Sequence, residues 1–558
     1  MQKRVLSLSL SVAVFGAGLV APGIASEQPA ATTDLSAIHN IVVIYAENRG
    51  FDHLFGKFPG ANGLANATAT EMTQLDRNGQ PMTELPPING NGLTDPSDPT
   101  QVPTEETRGH PNQPYALDDA AGYAVGLNYK LHDLVHRFYQ NQMQINHGQN
   151  NMFAAWSDAG GEVMGHFDSA NTMDLWSIAQ EYTLADNFFI GAFGGSFLNH
   201  QYLICACAPY DFKTANDPAT FAANIAAVAP DGVSLQIDPT SPPSAIDGTP
   251  VFVRDGIVTP DYYGVNTMQP PYQPSSNPPA SGGDPAYADP TRPNTLSPQT
   301  AANIGDLMSQ KGVTWAWYSG AWQAALDHNV PAGVNFQFHH QPFNYYANYA
   351  PGTAARAEHL LDAGLDGTAL IQAIDAGTLP QVTFYKPQGN LNEHAGYANV
   401  SDGDAHIADV ISHLEQSPQW QNMVVIVTFD ENGGWWDHVA PPKGDRWGPG
   451  TRIPAIIISP FAKRGVVDHT QYDTASVLRL ITDVFALPEL PGLAARDAAL
   501  VANGSPAMGN LTAALDLAPT GVPGGAVAAP VNSKWALALA AVALVLAVAW
   551  TRRRKTRS

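Results

Sequence analysis

The sequence predicts an α/β protein built on a mostly parallel sheet, and three observations carry that expectation. Apolar, largely β-branched runs such as Met423-Val424-Val425-Ile426-Val427-Thr428-Phe429 read as strands buried on both faces. They alternate with stretches of helical patterning. Several of them end in a polar cluster: Glu47/Asn48, Glu393/His394 and Asp430/Glu431. In a parallel sheet these ends converge on one edge, where open α/β sheets bind their ligands.

The chain has 558 residues, 44% of them hydrophobic, which is ample for a large core. Its formal net charge is -23. Both ends are basic, with Lys3 and Arg4 at one and Arg552, Arg553, Arg554, Lys555 and Arg557 at the other, so the part between is more acidic still. Such a body repels nucleic acid and anionic lipid, and nucleic acid is excluded as a partner. A phosphate site within it needs local cations or a metal. The two cysteines, Cys205 and Cys207, flank a single residue. A bridge between them would close a small, strained ring, so they read as reduced core residues.

Residues 1–25 have a positive start, an apolar stretch from Val5 to Val20 and small residues at Gly23 and Ala25, the pattern of a secretory signal peptide. The body, 26–517, is therefore expected to work outside the cytoplasm. Residues 38–46 form the first strand, which closes on Glu47-Asn48-Arg49-Gly50-Phe51-Asp52-His53. The carboxylate and amide oxygens there suit a divalent cation, or equally the N-cap of a following helix. From about 60 to 113 an irregular insertion rich in Asn, Thr, Pro and Gly leaves the sheet. Residues 117–160 are patterned as helix, which would set His132 and His136 on one helix face. A helix over 173–181 and a strand over 183–190 lead to Gly191-Ala192-Phe193-Gly194-Gly195-Ser196-Phe197-Leu198-Asn199-His200. A serine after two glycines, opening an apolar helical run, is placed as a nucleophile or as an N-cap. It is not a Gly-x-Ser-x-Gly elbow, because Leu198 stands where that motif needs glycine.

Residues 209–300 are a second irregular insertion, of the kind that covers a site or moves. The alternation then resumes. Helices are expected over 303–311, 356–376, 403–416 and 474–485, and strands over 313–318, 381–385, 423–429 and 453–460. His339 and His340 fall in a loop, and Asn392-Glu393-His394 follows the strand at 381–385. Residues 518–534 read as a linker. Residues 535–550 are 16 uninterrupted apolar residues, and 551–558 form a basic tail. As a helix the apolar stretch spans about 24 Å, short of a hydrocarbon core of about 30 Å. It reads as a membrane anchor or as a surface-sorting signal cut by a peptidase.

Two adjacent carboxylates such as Asp430 and Glu431 repel unless a cation lies between them. One divalent metal ion held by Glu47, Asn48, Asp430 and Glu431, with Ser196 as attached nucleophile, suits phosphoryl transfer. The oxygen ligands accept calcium, zinc, iron or manganese alike. Histidines would supply further phosphate donors, and a site rich in them favours acidic to neutral pH.

Glu47-Asn48-Arg49-Gly50-Phe51-Asp52-His53, Gly195-Ser196-Phe197-Leu198-Asn199-His200 and Asp430-Glu431-Asn432-Gly433-Gly434-Trp435-Trp436-Asp437-His438 resemble the bacterial acid phosphatase/phospholipase C phosphoesterase family, within the alkaline-phosphatase-like superfamily. The resemblance covers about 38–517. It implies a three-layer α/β/α sandwich with long loop insertions and an active site at the carboxyl edge of the sheet. It implies Glu47, Asn48, Asp430 and Glu431 as metal ligands and Ser196 as the phosphorylated nucleophile. His136, His339, His340 and His394 would surround the phosphate, with His132 a weaker match than His136. Asn432 stands where many relatives have His. The segment around Ser196 resembles the acid phosphatase branch, whereas the phospholipase branch often has Thr at that place. The expected function is thus an exported, metal-dependent acid phosphatase acting on small phosphomonoesters. A phospholipase C acting on phosphatidylcholine-type head groups is the alternative, with Trp435 and Trp436 available to an ammonium group. A catalytically inactive surface binding protein is the third reading. The expected location is periplasmic, cell-surface or secreted, with the membrane reached through the C-terminal helix.

Overall fold

All seven residues of β1 (Asn40–Ala46) are buried, and the same holds for β8 (Met423–Phe429) and β9 (Arg452–Ile458). Side chains alternate between the faces of a strand, so burial of every one means that both faces of the sheet are covered. A computed structural model describes residues 34–88, 110–119 and 123–517. Its body, Leu35–Leu517, is built around one nine-stranded sheet.

β1 lies at the centre and pairs in parallel with β8 on one side and with β7 (Val382–Lys386) on the other. Beyond β7 come β5 (Trp315–Ser319) and the edge strand β6 (Leu360–Asp362), both parallel. Beyond β8 come β9, β4 (Thr183–Phe189) and β10 (Val466–Asp468), and β11 (Tyr472–Asp473) also pairs with β4. Only β9 runs antiparallel to its neighbours. The short strands β2 (Tyr115–Ala116) and β3 (Gly165–His166) form a separate ribbon. The α/β class and the mostly parallel sheet are as the sequence predicts. β1, β4, β5, β7 and β8 all end on the same edge.

Three local expectations are corrected. The patterned stretch 117–160 holds one regular α-helix, Phe138–Ile145, and His132 and His136 lie before it. Tertiary contacts take the backbone groups that a longer helix would use. Val135 N–H donates to Asp158 at 2.8 Å, and the Leu131 carbonyl accepts from Gly396 N–H at 2.6 Å. The helix expected over 356–376 is two, Ala354–His359 and Thr368–Asp375, split by β6 and by Gly364 and Gly367 at positive φ. Cys205 and Cys207 are joined as a disulfide rather than reduced. Ala206, at φ 49, ends the helix Ser196–Cys205 in the left-handed region and turns the chain back, leaving the two Cα atoms 5.1 Å apart.

The insertion at 209–300 has little regular structure, yet side chains pin it down. Arg77 donates to the carbonyls of Pro242 and Gly248, Arg356 to that of Gln273, and Lys213 to that of Thr295. Among the described residues no helix is long and apolar enough to cross a membrane. The expected signal peptide, and the linker, apolar helix and basic tail at 518–558, lie outside the described residues.

β9 opens with Arg452, which is fully buried at the functional edge. It meets Asp52 at 3.1 Å and Asp437 at 3.1 Å, and Asp52 also meets His438 at 2.6 Å. Replacing a buried cation leaves its carboxylates uncompensated. Arg452→Leu is expected to cost about 3–5 kcal/mol in urea unfolding; an unchanged midpoint would show that the network adds nothing.

Candidate active site

The site begins where β1 and β8 end side by side. Asn48 takes a left-handed conformation at φ 56, and its N–H donates to Asp430 Oδ1 at 3.0 Å. Gly433, at φ 62, lies so close that a Cβ there would sit 2.3 Å from the Asn48 carbonyl oxygen. Only glycine allows the turn after β8 to press against the turn after β1. Each of the two carboxylates of β8's end spends one oxygen on the backbone. Asp430 Oδ1 also accepts from Glu431 N–H at 2.8 Å, and Glu431 Oε2 accepts from Gly433 N–H at 2.6 Å. Asp430 Oδ2 is buried without a hydrogen bond, and Glu431 Oε1 faces Ser196.

Ser196 is the first residue of the helix Ser196–Cys205, with Gly195 at the cap position. Its hydroxyl lies 3.4 Å from Asn48 Oδ1 and 3.5 Å from Glu431 Oε1 instead of capping its own helix. Gly194 is at φ +87, and a Cβ there would overlap the backbone of Phe138 at 2.4 Å. The Asn199 side chain clamps the turn from inside, bonding both the N–H and the carbonyl of Ala192.

Glu47 projects into a shell of basic groups. Lys386, the last residue of β7, meets its Oε1 at 2.5 Å and His340 meets the same oxygen at 2.7 Å, while His394 lies 3.8 Å from Oε2. His136 Nε2 stands 3.6 Å from Glu431 Oε1. A cavity of about 430 Å³ opens over Ser196, walled by His136, His339, His394, Asp133, Phe197 and Tyr397 among others. The structure thus brings together Glu47, Asn48, Ser196, Asp430, Glu431, His136, His339, His340 and His394. His132 faces Glu162 instead, and His438 belongs to the Arg452 network. Trp435 stacks on His53 at 3.9 Å and Trp436 donates to the Asn150 carbonyl at 2.8 Å, so neither faces the cavity wall as an ammonium cage would require.

Sequence reasoning missed Lys386, His200 and Tyr397. His200 Nδ1 donates to the Ser196 carbonyl at 2.8 Å, which leaves Nε2 bare, buried and without a hydrogen bond. His200 lies in the quoted Ser196 segment, four residues along its helix, and that spacing was the available signal. Lys386 ends a strand as the acids do, which was the signal for it.

The charges do not balance within the protein. Burial alone would raise the pKa of Glu47, but Lys386 and then His340 outweigh it and hold the carboxyl well below its usual range. Asp430 has no cation of its own, and burial with the Glu47 charge pushes it up to about 7. Burial raises Glu431 well above the carboxylate range, and Asp430 adds to this against the pull of His136. Burial pulls His136 down, but Glu431 and Asp133 outweigh it and push it up to about 9. Burial holds His339 well below the imidazole range, and His340 at about 4 against the pull of Glu47. His394 is lowered too, burial being the largest cause. Of the four histidines expected around the phosphate, only His136 is shifted toward the protonated form.

The model of the phosphoesterase family matches residues 38–488. The chain belongs to the phosphoesterase family. It is accordingly a hydrolase of phosphoric ester bonds. Phospholipase C B of Mycobacterium tuberculosis is 24% identical over 500 residues, covering 83% of this chain and 76% of that protein. Non-specific phospholipase C1 of Arabidopsis thaliana is 28% identical over 197 residues, 29% of this chain and 35% of that one. A solved structure of a protein in the alkaline phosphatase superfamily from Vibrio parahaemolyticus is similar at a TM-score of 0.30 and 9% identity, over 61% of this chain and 65% of that one.

The donor set of this phosphoesterase fits a divalent cation. Glu47, His200 and Asp430 each offer an atom within 4.8 Å of the others, and the bare Asp430 Oδ2 and His200 Nε2 need a partner. Elemental analysis of the purified protein is expected to find one divalent ion per chain. Asp430→Asn is expected to weaken retention through dialysis by more than about 10-fold; full occupancy in that variant would remove Asp430 from the site.

Proposed function

We propose that this phosphoesterase is an exported acid phosphatase that hydrolyses phosphomonoesters through a phosphoserine on Ser196. The observation that carries this reading is the position of the Ser196 hydroxyl. It sits at a helix start, between Asn48 Oδ1 and Glu431 Oε1, in the wall of the histidine-lined cavity. Export rests on the pattern of residues 1–25.

Glu47, Asn48, Asp430 and Glu431 would hold the metal ion together with Ser196. The ion, when bound, lowers the pKa of the serine hydroxyl and offsets charge on the phosphoryl group. With its proton lost to solvent beforehand, Ser196 Oγ reacts as the alkoxide, forming the new bond to phosphorus as the ester bond to the leaving oxygen breaks, and is freed as the alkoxide again when the phosphoserine is cleaved. His136 carries a proton and faces both Glu431 and the cavity, so it can hand that proton to the leaving oxygen. His339, neutral and in the cavity wall, serves as a hydrogen-bond donor to a phosphoryl oxygen, while His394 lines the same wall with its Nδ1 proton given to the Ala395 carbonyl. Lys386 keeps Glu47 ionised and in place. Water then cleaves the phosphoserine, and the neutral His136 recovers its proton from that water.

A second reading, phospholipase C, draws on the relatives of that name and on Asp133, Asp158 and Tyr397 in the cavity wall. Carboxylates and an aromatic ring suit a quaternary ammonium head group. An acidic chain of net charge -23 would meet a zwitterionic surface more readily than an anionic one.

The two readings part on substrate. The wild-type protein is expected to hydrolyse para-nitrophenyl phosphate, and Ser196→Ala to lose about 10³-fold or more in kcat. Acid quenching in turnover should leave phosphate on the Ser196 peptide by mass spectrometry. Undiminished activity of Ser196→Ala would sink the nucleophile assignment. Cleavage of phosphatidylcholine vesicles without any monoesterase activity would hand the function to the second reading.

A further inference from the structure

Tyr397 stands in the cavity wall beside His339 and His394, and none of the steps above uses it. Its ring lies flat on the His394 imidazole, with centroids 4.1 Å apart and planes 18° from parallel. A tight turn produces this stack, since Ala398 N–H donates to the His394 carbonyl at 2.9 Å. Gly396 makes the turn possible. It is at φ +90, its N–H is held by the Leu131 carbonyl at 2.6 Å, and a Cβ there would lie 2.9 Å from the Asp133 Cβ. The ring is thus fixed between His394 and the rim of the cavity.

Stacking explains the ring but not the hydroxyl. The Tyr397 hydroxyl is buried beside the Asn392 amide. Asn392 Oδ1 accepts from His394 N–H at 3.0 Å, which leaves its Nδ2 turned to the phenol as a donor. No protein group accepts the phenol proton. A buried hydroxyl proton left without an acceptor is costly, and a phenyl ring would stack on His394 without that cost. Burial, and next the Glu47 charge, push the phenol well above its usual pKa. It therefore stays protonated and acts as a donor.

We infer that Tyr397 is a further substrate-binding residue, whose hydroxyl donates a hydrogen bond to a phosphoryl oxygen of the ester placed at Ser196. The inference rests on the phosphoesterase reading of the Ser196 cavity. It assigns the hydroxyl a partner that arrives with the substrate and departs with phosphate. The ring keeps a separate duty, that of holding the His394 plane.

The test uses the full-length, metal-loaded protein with two variants, para-nitrophenyl phosphate as substrate and inorganic phosphate as ligand. Tyr397→Phe keeps the ring and removes the donor. It is expected to lower kcat/KM by about 10- to 100-fold and to weaken phosphate binding in calorimetry, with an unchanged melting temperature. Tyr397→Leu removes both and is expected to lose more. If Tyr397→Phe matches the wild type in both measurements while Tyr397→Leu is impaired, the hydroxyl has no such role and only the stack matters. That result overturns the inference and leaves the Ser196 reading standing. A wild type that neither cleaves the ester nor binds phosphate overturns both.

Discussion

Three carboxylates packed into one buried strand edge set the terms for this molecule. The sheet order β7-β1-β8 puts Lys386, Glu47 and Asp430 at the ends of three consecutive strands, so a cation and two acids stand in a row. Register makes this possible, because Ala46 and Phe429 are partners and their next residues are Glu47 and Asp430. Glu431 follows, with only the ring of His136 to offset it. Like charges buried this closely cannot all ionise unless more positive charge is brought in. The edge therefore offers a place for a cation, and the fold must hold its carboxylates together against their own repulsion.

Buried arginines do much of that holding. Arg49 donates to the Glu393 carbonyl at 2.9 and 2.6 Å, which fixes the loop that carries His394. Arg452 grips Asp437 in the turn beyond Asp430 and Glu431. Arg496 donates to the Gly191 carbonyl at 2.7 Å and pairs with Asp473, which steadies the turn before Ser196. Three of the loops that reach the edge are thus tied by a guanidinium, whose planar fork suits several acceptors at once. Packing alone would not fix these loops, since their backbone polar groups need partners wherever they are buried.

How much of this was legible in the sequence follows from the same physics. Strands covered on both faces must be continuously apolar, so β1 and β8 were plain, and so were the acids that break those runs. The direction of β9 was not legible, because a buried antiparallel strand has the same composition as its parallel neighbours. The helix expected around His132 and His136 failed because Asp158 and the 396 loop compete for its backbone, and such long-range partners leave no local pattern. The Cys205–Cys207 bond was misjudged from ring size, when the left-handed Ala206 decides the approach of the two residues. Lys386, His200 and Tyr397 each looked like ordinary residues of a strand, a helix and a loop. They gain meaning from what faces them across the sheet edge.

The histidines show how burial sorts identical side chains. Burial disfavours the imidazolium of His339, His340 and His394, and the one that touches Glu47 most closely is still held at about 4. His136 is the least covered of the four, and two carboxylates flank it, so it alone is driven upward. One charged histidine among neutral ones suits an anionic substrate in a site whose carboxylates could hold a cation. In the proposed site, neutral donors such as the Tyr397 hydroxyl and His339 would orient phosphoryl oxygens without adding charge that competes with a metal ion for the carboxylates. In the proposed reaction the single charged histidine would serve the one event that needs a mobile proton, the departure of the ester oxygen.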